Sequence, residues 1–374
     1  MFSQRLNWTQ PRNRIADHLG RRGPRPFIDL TGSNPTRAGF SWPDDLLGAL
    51  VDERALSYEP DPRGVLSARV AVADYQQVPA EQVLLTASTS EAYSYLFKLL
   101  ANPGDEILAP RPSYPLFEFL AGLESVRIVQ YPLFYDHGWC MDTGALEALI
   151  TGRTRAIVIV NPNNPTGSYL KHRELQALEA ICAKHDLALI SDEVFADFAL
   201  GEDQGDLVRC AARVAQVPAF SLGGLSKACG LPQLKLGWIV SNSPAALERL
   251  ELIADTFLSV STPVQVALPR LLESRYSIQG QIMDRLRANL RVVPEPLKVE
   301  GGWAAVIRMP GVKTDEDWVL DLLEAHDVLV HPGFFYDFPA GGVHIVVSLL
   351  TPEADFARGA ARIGAAMHGA LDGG

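Results

Sequence analysis

Seven short runs of Val, Ile, Leu and Ala, apolar on both faces and separated by helix-period stretches, leave this chain few folds to adopt. The runs fall at 82–86, 106–109, 126–131, 156–160, 187–190, 219–222 and 236–240. A strand without a polar face must be covered on both sides, and strands separated by helices are joined by crossovers. The pattern therefore predicts an α/β fold: a mostly parallel, seven-stranded sheet with helices on both faces. Stretches 91–100, 142–150 and 171–185 read as covering helices. In the last, Leu175, Leu178, Ile181 and Cys182 recur at helical spacing among charged neighbours.

The two ends carry a different pattern. Residues 1–44 are rich in Arg, Pro and Gly and offer one short strand near 27–30. From 265 a helical pattern runs to Asn289, followed by a strand at 304–308, a helix at 315–326, strands at 328–331 and 344–348, and a helix from Glu353. A large unit at 45–264 and a smaller α+β unit at 265–374 are expected, with the arm 1–44 packed against the smaller one. At 47% hydrophobic, the 374 residues can fill both cores. The formal net charge of −11 argues against nucleic acid or an anionic membrane as the main partner, while leaving room for a local anion pocket. Cys140, Cys182, Cys210 and Cys229 lie far apart with no zinc-ligand spacing, so unpaired thiols and no metal site are expected. The N-terminus lacks the apolar core of a signal peptide, and no apolar run approaches the roughly 20 residues that span a bilayer. A cytoplasmic protein is expected.

In open α/β sheets ligands bind beyond the carboxyl ends of the strands, and four runs end there in polar clusters. They are TASTSE at 86–91, NPNNPTG at 161–167, SDE at 191–193 and GGLSK at 223–227. Each alone could be turn chemistry. Ser88, Thr89 and Ser90 could simply cap a helix, yet a helix start with free N–H groups and hydroxyls also suits a phosphate. Lys227 is one of seven lysines and is flanked by small and apolar residues. It could be an exposed loop residue; partly buried, its amine would be a nucleophile toward a carbonyl. Asp192 ends an apolar run, and a carboxylate buried there needs a positive partner such as a protonated pyridine nitrogen.

NPNNPTG, SDEVFADF at 191–198 and GLSK at 224–227 stand in an order and spacing that resembles the class I/II aminotransferases, fold type I enzymes that use pyridoxal 5′-phosphate. YEPDPRG at 58–64, NPGDEILAPRPSYP at 102–115 and HPGFFYDF at 331–338 extend the resemblance over nearly the whole chain. It implies that Lys227 carries the cofactor as a Schiff base and moves the α-proton, and that Asp192 pairs with the ring nitrogen. By the same resemblance Asn164 bonds the ring oxygen O3′, Tyr114 stacks on the ring, and Ser88, Thr89 and Ser90 cradle the phosphate. Tyr58 is implied to reach the partner subunit's cofactor in a homodimer with shared sites. Ser33 and Asn34 are implied to border the substrate.

The chain departs from that family at several positions. Lys235 stands where an arginine usually meets the phosphate. Gly224 replaces a frequent hydroxyl, for which Ser226 could compensate, and Phe195 replaces a common tyrosine. Aligning 344–348 on the strand that usually presents a carboxylate-binding arginine puts Val346 in its place. Either Arg37 or Arg111 grips the carboxylate from elsewhere, or the substrate is an amine or modified amino acid without one there. The expected activity is amino transfer between an amine or amino acid and a keto acid. A lyase, decarboxylase or oxidase on the same fold is the alternative, and a ligand-sensing protein without catalysis is a third.

Overall fold

The computed structural model of the protein describes residues 2–9, 12–201, 204–339 and 341–372. Its strands are β1 (Ile28–Asp29), β2 (Val83–Thr86), β3 (Glu106–Arg111), β4 (Arg127–Tyr135), β5 (Trp139–Met141), β6 (Thr154–Val160), β7 (Ala188–Asp192), β8 (Ala219–Gly224), β9 (Gly237–Ser241), β10 (Ala304–Met309), β11 (Val328–Leu329), β12 (His331–Pro332) and β13 (Val343–Ser348).

All seven apolar runs form strands of one sheet, in the order β2-β9-β8-β7-β6-β3-β4-β5. β8, β7, β6, β3 and β4 are mutually parallel, and β9 is antiparallel to both its neighbours. The sheet has eight strands rather than seven, because β5 turns back against the end of β4. The absence of a polar face has the expected cause. Leu85, Leu108, Ile157, Leu189 and Trp238 enter one buried cluster, and their neighbours Leu84, Ile107, Val158, Ile190 and Ile239 enter the other. Alternate side chains point to opposite faces of a strand, and both faces are covered by helices. The pairings Thr86↔Gly237, Gly224↔Gly237 and Val160↔Asp192 bring the polar clusters to a single rim.

The C-terminal third forms an antiparallel sheet, β10-β13-β12, and β1 of the N-terminal arm pairs in parallel with β11. Ile28 and Leu30 are buried with Ile307, Trp318, Ile345 and Phe356. The long helical pattern is broken into two helices, Thr262–Glu273 and Arg275–Leu290. At the break, the Ser274 hydroxyl donates to the Leu271 carbonyl at 2.9 Å, competing with the helix ladder. The first helix packs on the large sheet's cluster through Ala267, Leu268 and Leu271, while the second joins the C-terminal cluster through Ile278, Ile282 and Leu286. The arm also holds a helix that its composition conceals, Arg14–Arg22, capped by Asn13, whose side chain accepts from the Ala16 N–H at 2.7 Å. Among the described residues no helix is long and apolar enough to cross a membrane.

Candidate active site

At the rim, a cavity of about 510 Å³ opens between the large sheet and the C-terminal β10 and β13. Its first wall is the start of the helix Thr89–Leu100, which leaves β2 through Ala87 and Ser88. Ser88 caps the helix: its Oγ accepts from the Glu91 N–H at 3.2 Å. The Glu91 carboxylate returns to the Ala87 N–H at 2.6 Å. With Ser88 engaged in the cap, Thr89 and Ser90 are the hydroxyls that line the cavity. The free N–H groups and dipole of the first turn favour an anion there. Gly237 makes room: a Cβ on it would stand 2.9 Å from the Ser88 carbonyl carbon and 3.0 Å from the Thr89 nitrogen.

Asp192, at the end of β7, supplies the cavity's one carboxylate among the described residues. Its Oδ2 accepts from the Tyr93 hydroxyl at 3.0 Å and its Oδ1 from the Val194 N–H at 3.2 Å. Burial outweighs these bonds and the charge of Lys227, raising the carboxyl to about 6. Lys227 lies in the short helix Leu225–Ala228 that follows β8. Its ammonium sits 4.8 Å from the Trp303 ring centroid and 5.3 Å from that of Phe195, and the two rings meet edge to face. Burial lowers it to about 8, against the attraction of Asp192. Lowered to about 8, the group keeps a small but usable fraction of free amine at neutral pH, which makes Lys227 a nucleophile for a carbonyl. A cradle for a phosphate, a recessed carboxylate for a protonated ring nitrogen and an activated amine for an aldehyde together fit pyridoxal 5′-phosphate.

Asn164 after β6, Tyr114 after β3, Phe195 after β7 and Ser226 also line this cavity, and Ser33 reaches it from the N-terminal arm. Other expected residues lie elsewhere. Asn34 spends its side chain on a turn, accepting from the Thr36 N–H at 3.0 Å and from its hydroxyl at 2.8 Å. Arg37 lines a separate depression with Asp29 and Asp355. Arg111 is half-buried at the end of β3, outside the cavity lining, with its Nε enclosed and unbonded among the described residues. Lys235 closes a turn in left-handed backbone with its side chain exposed, also away from the cavity. Tyr58 is 82% exposed and lines a different depression of the same chain.

Several cavity residues escaped the sequence reading. Tyr93 stands one helical turn after Thr89, so i,i+4 spacing from the hydroxyl cluster was the available signal. Trp303 and Thr31 carried no such signal, and His331 and Tyr336 only their membership of the HPGFFYDF segment, because the cavity acquires all four where the C-terminal sheet and the arm meet the rim. His331 Nδ1 is 2.9 Å from the Tyr336 hydroxyl, and burial lowers the imidazole below its ordinary value.

Comparison with known proteins agrees with this geometry. An alanine aminotransferase of Mycobacterium tuberculosis is 30% identical, with 95% of this chain and 88% of that protein aligned. Nicotianamine aminotransferase 1 of Oryza sativa subsp. japonica is 28% identical over 86% of this chain and 72% of its own length. The crystal structure of an aminotransferase from Escherichia coli superposes with a TM-score of 0.82 at 26% identity, covering 95% of this chain and 94% of that one. The family model described as aminotransferase class I and II matches residues 34–355. The chain belongs to the class I and II aminotransferases, enzymes that depend on pyridoxal 5′-phosphate.

Proposed function

We propose that this aminotransferase works from the Lys227 cavity of a homodimer, passing an amino group between an amino donor and a keto acceptor. The observation that carries the reading is the convergence of Lys227, Asp192 and the Thr89–Ser90 helix start on one cavity. The chemistry that bound pyridoxal phosphate supplies there is an electron-accepting ring conjugated to the carbon that carries the amino group. The protein's part is to hold and move protons around that ring. Thr89, Ser90 and the first-turn N–H groups hold the phosphate. Asp192, braced by Tyr93, would keep a proton on the ring nitrogen. Asn164 would bond the ring oxygen, and Tyr114 would cover a face of the ring. Lys227 would hold the cofactor through its carbonyl carbon and, as a free amine, would carry the proton of the donor's α-carbon. Phe195 and Trp303 keep water from the ammonium.

The test is a half-reaction: mixed with amines and amino acids, the loaded enzyme should pass from the aldehyde to the amine form of its cofactor, and a keto acid should reverse the change. Elimination or decarboxylation products without that exchange would move the enzyme to another reaction class.

The homodimer reading is supported by large apolar side chains that the single chain leaves exposed between residues 47 and 66. Leu47, Val51, Leu56, Tyr58 and Leu66 are all exposed on neighbouring segments. Tyr58 would then serve the partner's cavity. Mixed dimers of Lys227→Ala and Tyr58→Phe chains should recover activity above both parents, since one of their two cavities would be intact. Failure to do so under subunit exchange would remove the shared site. In place of the expected boundary at 264/265 we propose one near Ser274, with the arm belonging to the second unit; the packing of the helix Thr262–Glu273 on the large sheet supports it. The four unpaired cysteines suit a cytoplasmic location.

A further inference from the structure

The wall that the C-terminal sheet gives the cavity is nearly free of charge. At the middle of β13, Val346 borders it, 2% exposed, packed with Val306 and Tyr336 and paired with Val306 of β10 and His331 of β12. Beside it stand Trp303 and Ala304. The Ser348 hydroxyl is already committed, donating to the Gly32 carbonyl at 2.6 Å. His331 is the only other ionisable base on the cavity besides Lys227 among the described residues, and its burial favours the neutral ring. No arginine lines the cavity among the described residues. A carboxylate pressed against this wall would exchange its water for an isopropyl group, an indole face and an uncharged imidazole, with no cation in return. An uncharged substituent meets no such penalty, and the alkyl and aromatic surface favours it.

We propose that the amino donor carries no free carboxylate on its amine-bearing carbon: it is a primary amine, an amino alcohol or a carboxyl-masked amino acid. Its uncharged substituent packs on Val346 and Trp303, and a polar group on it hydrogen-bonds the His331 nitrogen left over by Tyr336. The proposal rests on the amino-transfer reading of the same cavity and names the donor class.

Matched pairs differing only in the carboxylate test it: L-phenylalanine against L-phenylalaninol, L-alanine against L-alaninol. Conversion of the cofactor to its amine form is followed by absorbance. Binding is measured apart from turnover by calorimetry of 3-phenylpropionate against 3-phenylpropanol on the loaded enzyme. The uncharged member of each pair should react, and bind, at least about tenfold better. Val346→Arg should invert the order in both measurements. A carboxylated ligand that binds or reacts as well as its neutral partner overturns the proposal while amino transfer stands. If that advantage then disappears in Arg111→Ala, Arg111 is the carboxylate's seat. If no donor of either kind converts the cofactor, the amino-transfer reading fails, and the calorimetric preference alone still decides the character of the wall.

Discussion

Lys227→Ala will release its cofactor on gel filtration and lose turnover by at least about 10³–10⁴-fold, because one side chain provides both the covalent anchor and the proton carrier. Borohydride reduction of the unmodified enzyme should fix the cofactor to the peptide containing Lys227. Recovery of the label on Lys235 or any other lysine would reject the assignment. The pH dependence separates this amine from an ordinary one. Burial between Phe195 and Trp303 lowers the ammonium from 10.5 to about 8, the charge of Asp192 pulling the other way. Capture of pyridoxal phosphate by the cofactor-free protein should thus accelerate with pH and level off above about 8. A rate still climbing toward 10.5 would show an amine in contact with bulk water.

Asp192→Asn should lower kcat about a hundred- to a thousandfold, the range expected when one preorganised electrostatic group is removed from a reacting centre. The amide can keep its place beside the Tyr93 hydroxyl and the Val194 N–H, so cofactor should still bind. It cannot hold a proton on the ring nitrogen, and the cofactor's electron-accepting power should fall accordingly. Loss of the negative charge also deletes the attraction that raises the Lys227 ammonium, so the plateau of cofactor capture should shift below about 8. Stability offers an independent check on the cofactor-free protein. The Asp192 carboxyl is raised by burial from 3.8 to about 6, so between those values the folded state holds a proton that the unfolded chain has released. This group's contribution to stability therefore falls as pH rises from 3.8 through about 6, and Asp192→Asn should remove that slope from pH-dependent urea melts. A kcat within about twofold of the unmodified enzyme would sink the assigned role.

Much of the large sheet was legible because its signal is local. Residues 84 and 85, or 157 and 158, are both apolar since both faces of their strand are buried, and the helices between them repeat at their own period. β5 was not legible: three residues after the turn at His137 and Gly138 are too few to show a period. The helix Arg14–Arg22 was hidden for another reason. Only Ile15 of its residues is buried, and it is held by the Asn13 cap and by Arg14, which pairs with Asp317 at 2.8 Å on a distant helix.

The same division runs through the site. Thr89, Ser90, Asn164, Asp192 and Lys227 could be placed together from the sequence, because each follows an apolar strand and the carboxyl ends of parallel strands share one rim. Ser88 and Asn34 were assigned to ligands, yet local hydrogen bonds claim both: a cap at the helix start and a turn after Asn34. Of the wall that meets the substrate, only Val346 was placed from the sequence, by its alignment with the family's arginine-bearing strand; the rest was decided by tertiary structure. Trp303, His331, Tyr336 and Val346 reach Lys227 because β10, β12 and β13 pair with one another and pack against the rim. Backbone periodicity is set by neighbours a few residues away and is written along the chain. The contact between two separately patterned sheets is set by complementary burial across many residues of separation, and no spacing in the sequence records it.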